Sequence, residues 1–137
     1  MTDPIALALQ VDRFVRRLHG GIHARATAVD HDRIGPMGGM ILMALAERER
    51  TPLHRLVEDF ARDKSQMTRM VRTLEDKGML DRAPCPDDGR VTLLGLTPKG
   101  RAFVAQISSL MAEVVDDLLA PVPPEDRAAF AAILDRL

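Results

Sequence analysis

The chain contains no tryptophan, no tyrosine and only four phenylalanines among its 137 residues, so any core has to be assembled from Leu, Ile, Val, Met and Ala. Aliphatic helices packed on helices are the natural outcome. Cysteine is nearly absent too. A single Cys85 excludes an intrachain disulfide and agrees with a reducing compartment. No run of about 18 uninterrupted apolar residues is present for a membrane span, and the N-terminus lacks the basic start, apolar stretch and small-residue cleavage site of a secretory signal. A soluble, cytoplasmic, single-domain protein with no membrane partner is the expectation. Also missing are a glycine-rich phosphate loop, a nucleophile elbow and a His/Cys/Asp cluster at metal-ligand spacing. Those gaps argue against an enzyme and against a cofactor.

A strong charge of either sign is lacking as well. The formal net charge of -1 gives no whole-chain attraction to nucleic acid, but the charges are unevenly placed. Nine Lys/Arg (Arg55, Arg62, Lys64, Arg69, Arg72, Lys77, Arg82, Arg90, Lys99) face eight Asp/Glu between residues 51 and 100, whereas residues 101–137 carry three against six. DNA affinity depends on local phosphate contacts, so one favourable face suffices.

What is present is helical periodicity. Leu7, Val11, Phe14, Leu18 and Ile22 form one stripe of an amphipathic helix that begins near Pro4 and is weakened or bent at Gly20 and Gly21. Asp30 to Gly35 reads as a polar connection. Pro36 then opens a helix carrying Met40, Ile41, Met43, Ala44 and Leu45, with Gly38 and Gly39 awkward in its first turn. Thr51 and Pro52 read as N-cap and first helical position of a short helix whose inner face is Leu53, Leu56, Val57 and Phe60. After the turn Ala61-Arg62-Asp63, Asp63 caps a further helix, with Gln66 placed to complete a capping box and Gly78 as its left-handed stop. Two short helices joined by a tight turn have helix-turn-helix proportions.

On the second of these helices Met67, Met70, Val71 and Leu74 form the buried stripe, leaving Ser65, Gln66, Thr68, Arg69, Arg72, Thr73 and Asp76 outward. Ser, Gln, Thr and Arg reach base edges and phosphates in a major groove, and Arg69 is the strongest candidate. Any solvated helix face offers such residues, however. The following segment adds weight: Leu80 to Ala83 and Val91 to Leu96 are short strands around the turn-rich Pro84-Cys85-Pro86-Asp87-Asp88-Gly89. Arg90 at that tip suits a minor groove, and Asp88 is placed to hold its guanidinium in a forked pair. A plain turn-stabilising surface pair is the competing reading.

These residues resemble the MarR family of winged helix-turn-helix transcriptional regulators over nearly the whole chain. One motif is D-x-R followed by a strand and L-T-x-K-G, present as Asp88-Gly89-Arg90 and Leu96-Thr97-Pro98-Lys99-Gly100. The other is Ser65-Gln66-Met67-Thr68-Arg69 with Leu74 and Gly78. The resemblance implies a mainly α fold with a small β-hairpin wing. A winged helix-turn-helix at about residues 36–100 would be flanked by dimerisation helices at about 4–29 and 98–137. By the same resemblance Ser65, Gln66, Thr68, Arg69 and Arg72 face the major groove, Arg82 lies against the DNA backbone, and Arg90 enters the minor groove oriented by Asp88. The implied function is a homodimeric, sequence-specific repressor of a pseudo-palindromic operator, relieved by a small molecule wedged between dimerisation helices and winged lobe. A winged helix used only for protein contact is the alternative.

Two departures stand out. Gly89 occupies a position where the family frequently has a second basic residue, and Gly38-Gly39 stand where larger side chains are usual, which suggests an altered ligand pocket. The apolar positions Phe103, Ile107, Leu110, Val114 and Leu118, and Phe130, Ile133, Leu134 and Leu137, read as core and dimer contacts. His19 and His23 lie four apart on a helix without a third ligand nearby, and His31 sits between two aspartates; surface roles are expected for all three. Cys85 on the wing offers a redox sensor if its thiolate is stabilised, and is otherwise an incidental surface-loop cysteine.

Overall fold

A computed structural model describes residues 1–60 and 62–137, so Ala61 in the expected helix-turn-helix turn lies outside the described residues. Six helices and three short strands follow in the order α1 (Pro4–Ala26), α2 (Gly35–Ala46), β1 (Thr51–Pro52), α3 (Leu53–Phe60), α4 (Lys64–Asp76), β2 (Leu80–Pro84), β3 (Thr92–Leu96), α5 (Pro98–Leu118) and α6 (Pro124–Leu134). They divide into two compact units, Thr27–Ser108 and a second made of Met1–Ala26 with Ser109–Leu137.

In the Thr27–Ser108 unit the core is aliphatic: Ile41, Leu42 and Leu45 of α2, Leu56 of α3, Met67, Val71 and Leu74 of α4, and Leu94 of β3 are all buried. Gly38 allows α2 to approach α4 closely. A Cβ there would meet Leu74 Cδ2 at 3.3 Å and Ile34 Cγ2 at 2.7 Å, so this glycine serves packing rather than an open pocket, while Gly39 has free space around it. The helix is started from outside its own first turn. The Asp30 carboxylate accepts from the amides of Ile34 at 2.7 Å and Gly35 at 2.9 Å, two donors a helix start leaves unsatisfied.

The recognition-type helix α4 has both of its expected ends. Asp63 is the N-cap, in extended conformation, its side chain accepting from Ser65 N at 2.7 Å. Gln66 does not complete a capping box; its side chain lines a surface hollow instead. At the other end Gly78, at φ 75°, donates to Glu75 O and Met79 donates to Leu74 O, a Schellman closure with the buried Leu74 and Met79 as its apolar contact.

The sheet is antiparallel in the order β1-β3-β2. Leu80 to Pro84 pair with Leu96 to Thr92 as the expected hairpin. Its third strand corrects the sequence reading: Thr51 is not an N-cap but pairs with Leu94, and Pro52 with Leu93, so α3 starts at Leu53. A β-branched residue fits a buried strand position, and proline, which has no N–H to donate, is tolerated because β1 is at a sheet edge.

In the other unit α1 runs unbroken through Gly20 and Gly21. Gly21 is needed for close helix contact, since a Cβ there would fall 2.6 Å from Val114 Cγ1. Phe14 and Phe130 meet edge-to-face with centroids 5.7 Å apart. Arg127 secures the proline-containing turn before α6, donating to Val122 O at 3.1 Å and Leu119 O at 2.7 Å and pairing with Asp116 at 2.8 Å. Arg25 pairs with Asp117.

Candidate nucleic-acid interface

Ser65, Gln66, Arg69 and Arg72 are exposed on α4. Thr68 is half-buried and its hydroxyl donates to Lys64 O at 2.8 Å, leaving the oxygen as an acceptor. Thr73 makes the same bond to Arg69 O at 3.0 Å. The helix thus presents a row of donors whose cations are not neutralised: among the described residues no carboxylate pairs with Arg62, Lys64, Arg69 or Arg72, nor with Arg33, Arg55, Lys77 or Arg101, whereas Arg48, Arg50, Arg82, Arg90 and Lys99 of the same unit are paired. Unpaired cations on one face lower the local cost of approaching phosphates, whatever the whole-chain charge.

Gln66 and Arg69 share a shallow hollow of about 340 Å³ with Met67 and Met70 of α4, Met37 of α2 and Arg62. Arg62 and Met37 were not singled out in the sequence. Arg62 carried one usable signal, its place immediately before the N-cap Asp63; Met37 carried none, because only the α2 to α4 contact brings it here.

On the wing, Cys85 N donates to Val91 O at 2.9 Å and Val91 N to Asp88 O at 3.0 Å, closing the hairpin tip. Arg90 projects with 92% of its side chain exposed. One oxygen of Asp88 accepts from both the Arg90 amide and its Nε, each at 3.1 Å. That is a single-oxygen anchor rather than the expected fork, and it leaves the guanidinium Nη groups free to meet a phosphate or a groove. Gly89 has open space around it and no positive φ, so the backbone does not demand glycine there.

Arg82 is exposed and also has a partner within the protein. Its Nε donates to Glu75 Oε2 of α4 at 2.8 Å, which ties the first wing strand to the helix before it. Arg50 likewise pairs with Asp81 at 2.7 Å and lies against Gly95, where a Cβ would sit 3.1 Å from its guanidinium carbon. Arg50 was missed because its partners lie on strands β2 and β3. His19, His23 and His31 are exposed, and Cys85 is a free, half-buried thiol. Among the described residues no three His, Cys, Asp or Glu converge to hold a metal ion, and no helix is long and apolar enough to cross a membrane.

Residues 39–92 match the MarR family model. A curated relative, an uncharacterized HTH-type transcriptional regulator, YdgJ, of Bacillus subtilis (strain 168), is 33% identical over 75 residues, which is 55% of this chain and 46% of that protein. The match therefore spans about half the length of that relative. Among solved structures, apo wild-type MarR from E. coli superposes with a TM-score of 0.73 at 21% identity, covering 99% of this chain and 97% of that one. The transcriptional repressor CouR bound to a 23-mer DNA duplex gives 0.76 at 23% identity, covering 95% and 90%. Likeness of this kind fixes the winged helix-turn-helix architecture.

Proposed function

We propose that the chain, whose residues 39–92 match the MarR family model, is a winged helix-turn-helix transcriptional regulator of that family and binds double-stranded DNA sequence-specifically, as a cytoplasmic homodimeric repressor of a pseudo-palindromic operator. The observation that carries this reading is the unneutralised cationic face of α4, where Lys64, Arg69 and Arg72, with Arg62 just before the helix, stand without carboxylate partners among the described residues. Gln66 and Arg69 supply the base-edge donors and acceptors, Ser65 and Thr68 flank them, and Arg72 sits one turn on. Arg90, anchored through one Asp88 oxygen, probes the minor groove. Arg82, held to Glu75 through its Nε, lies against the DNA backbone.

The domain division follows the same reading. The segment 36–100 reads DNA, and helices α1, α5 and α6 assemble the dimer. Support comes from apolar side chains left in water: Ile5, Leu9 and Val11 on α1, and Ile133 and Leu134 on α6, are all exposed. Exposed apolar residues on these helices are what an interaction surface would bury. A dimer sets two α4 helices about one helical turn, ~34 Å, apart on the duplex. A small molecule relieves repression if it binds the DNA-incompetent conformation more tightly, by the ratio of its two affinities.

Selection of bound genomic fragments followed by sequencing should recover a two-fold-related site. Fluorescence anisotropy on that site, against a scrambled duplex, should then show Arg69→Ala losing about ten-fold or more in affinity, the loss of one bidentate base contact. No preference for any site over random duplex at low salt would sink the reading and leave a protein-interaction role for the winged helix.

A further inference from the structure

Resting on that DNA-binding reading, we propose that Lys99 is a positioning residue for recognition, a clasp that fixes the C-terminal end of α4 and so the angle at which its N-terminal half meets the groove. The ammonium group of Lys99 donates to Lys77 O, the C-cap of α4, at 2.9 Å and pairs with Asp32 at 3.3 Å. Lys77 in turn donates from its own ammonium to Arg33 O at 2.8 Å. Three segments far apart in sequence are thereby joined: the connection that follows α1, the end of α4 and the start of α5.

The backbone on two sides of this clasp is tightly hydrogen-bonded or sterically confined. Thr97 donates from its hydroxyl to Gly78 O, accepts from Gly100 N at 3.0 Å, and its amide donates to Met79 O at 3.1 Å. Gly100 is buried so closely on that turn that a Cβ would stand 1.9 Å from Met79 O. On the opposite side Arg33 holds a left-handed backbone, φ 54°, and Gly35 another, φ 76°. A non-glycine residue in that region persists only where its surroundings over-determine it. Here the Asp30 carboxylate and the Lys77 ammonium do so. The L-T-P-K-G run thus has a division of labour: Thr97 and Gly100 lock α5 onto the end of α4, and Lys99 extends that lock to the 30–35 turn.

Lys99 and Asp32 keep 52% and 43% of their side chains exposed, and an exposed pair of this kind contributes little to stability. Its consequence is orientation, which sets the test apart from a plain structural role. Lys99→Met should shift the unfolding midpoint by no more than about 4 °C and leave affinity for random duplex and the salt dependence unchanged. The preference for the selected site over random duplex should fall about three- to five-fold, with Asp32→Asn giving a smaller loss of the same kind and Lys99→Arg restoring most of it. Amide exchange at Lys77, Gly78 and Met79 should quicken in Lys99→Met.

Unchanged exchange at those amides overturns the clasp whether or not the protein binds DNA. An unchanged site preference in a protein that does discriminate also overturns it. A drop of about one in the salt slope overturns it differently, by making Lys99 a phosphate contact. Wild-type protein without any site preference would instead refute the DNA-binding reading, and the exchange result would still judge the clasp.

Discussion

At the scale of single residues, the glycines separate into those with a physical task and those without one. Gly100 admits no Cβ because the Met79 carbonyl is 1.9 Å from where it would be, and a backbone atom cannot rotate away as a side chain can. Gly100→Ala is therefore expected to cost about 3 kcal/mol in chemical denaturation, at the upper end for overpacking. Gly89→Ala on the wing, with nothing within 4 Å and no positive φ, should stay within about 0.5 kcal/mol. In the sequence both positions are simply glycine. Leu-Thr-Pro-Lys-Gly was legible as a motif, but the reason for its glycine is a contact with Met79, twenty-one positions earlier in the chain, and no local pattern carries that. The residues proposed to face DNA show the same split. Exposure of Ser65, Gln66, Arg69 and Arg72 follows from helical phase alone, whereas the commitment of Arg82 to Glu75 follows from strand β2 lying beside α4.

At the scale of elements, α4 and the hairpin were readable because their signals are local. Asp63 and Gly78 mark the helix ends through bonds spanning two to five residues, and the turn formers between Pro84 and Gly89 bound two short β-rich runs. Strand β1 was not readable. Thr51-Pro52 before an apolar helix is the pattern of an N-cap and first turn, and only the neighbouring edge of β3, at Leu93 and Leu94, makes it a strand. That pairing leaves the Thr51 hydroxyl buried without a hydrogen-bond partner among the described residues. A buried unmade hydrogen bond is a cost that an isosteric apolar group removes. Thr51→Val is accordingly expected to raise stability by up to about 1 kcal/mol, measured by chemical denaturation. Had Thr51 been an N-cap, the same change would lower stability by about 1 kcal/mol, so the sign of the shift discriminates the two structures.

At the scale of the whole molecule, the aliphatic composition anticipated a helical protein, and neither α1 nor α6 contains a buried residue. Ile133 and Leu134 of α6 remain 47% and 52% exposed. On the proposed dimer, Ile133→Glu places a charge in an apolar interface. Sedimentation velocity should then show monomer at concentrations where the wild type is dimeric, and affinity for the two-fold site should fall with it; an unchanged sedimentation coefficient would place the interface elsewhere. The sequence alone was enough for the limits of α4, the hairpin and the outward face of α4, because propensity, capping and periodicity act within a few residues of chain, and the fold class came through its resemblance to a known family. The third strand, the close approach of Gly38 to Leu74, the partner chosen by Arg82 and the bond from Lys99 to Asp32, 67 residues away, were decided only by tertiary packing. Each depends on which segments the core brings side by side, and a chain read in order holds no measure of that distance.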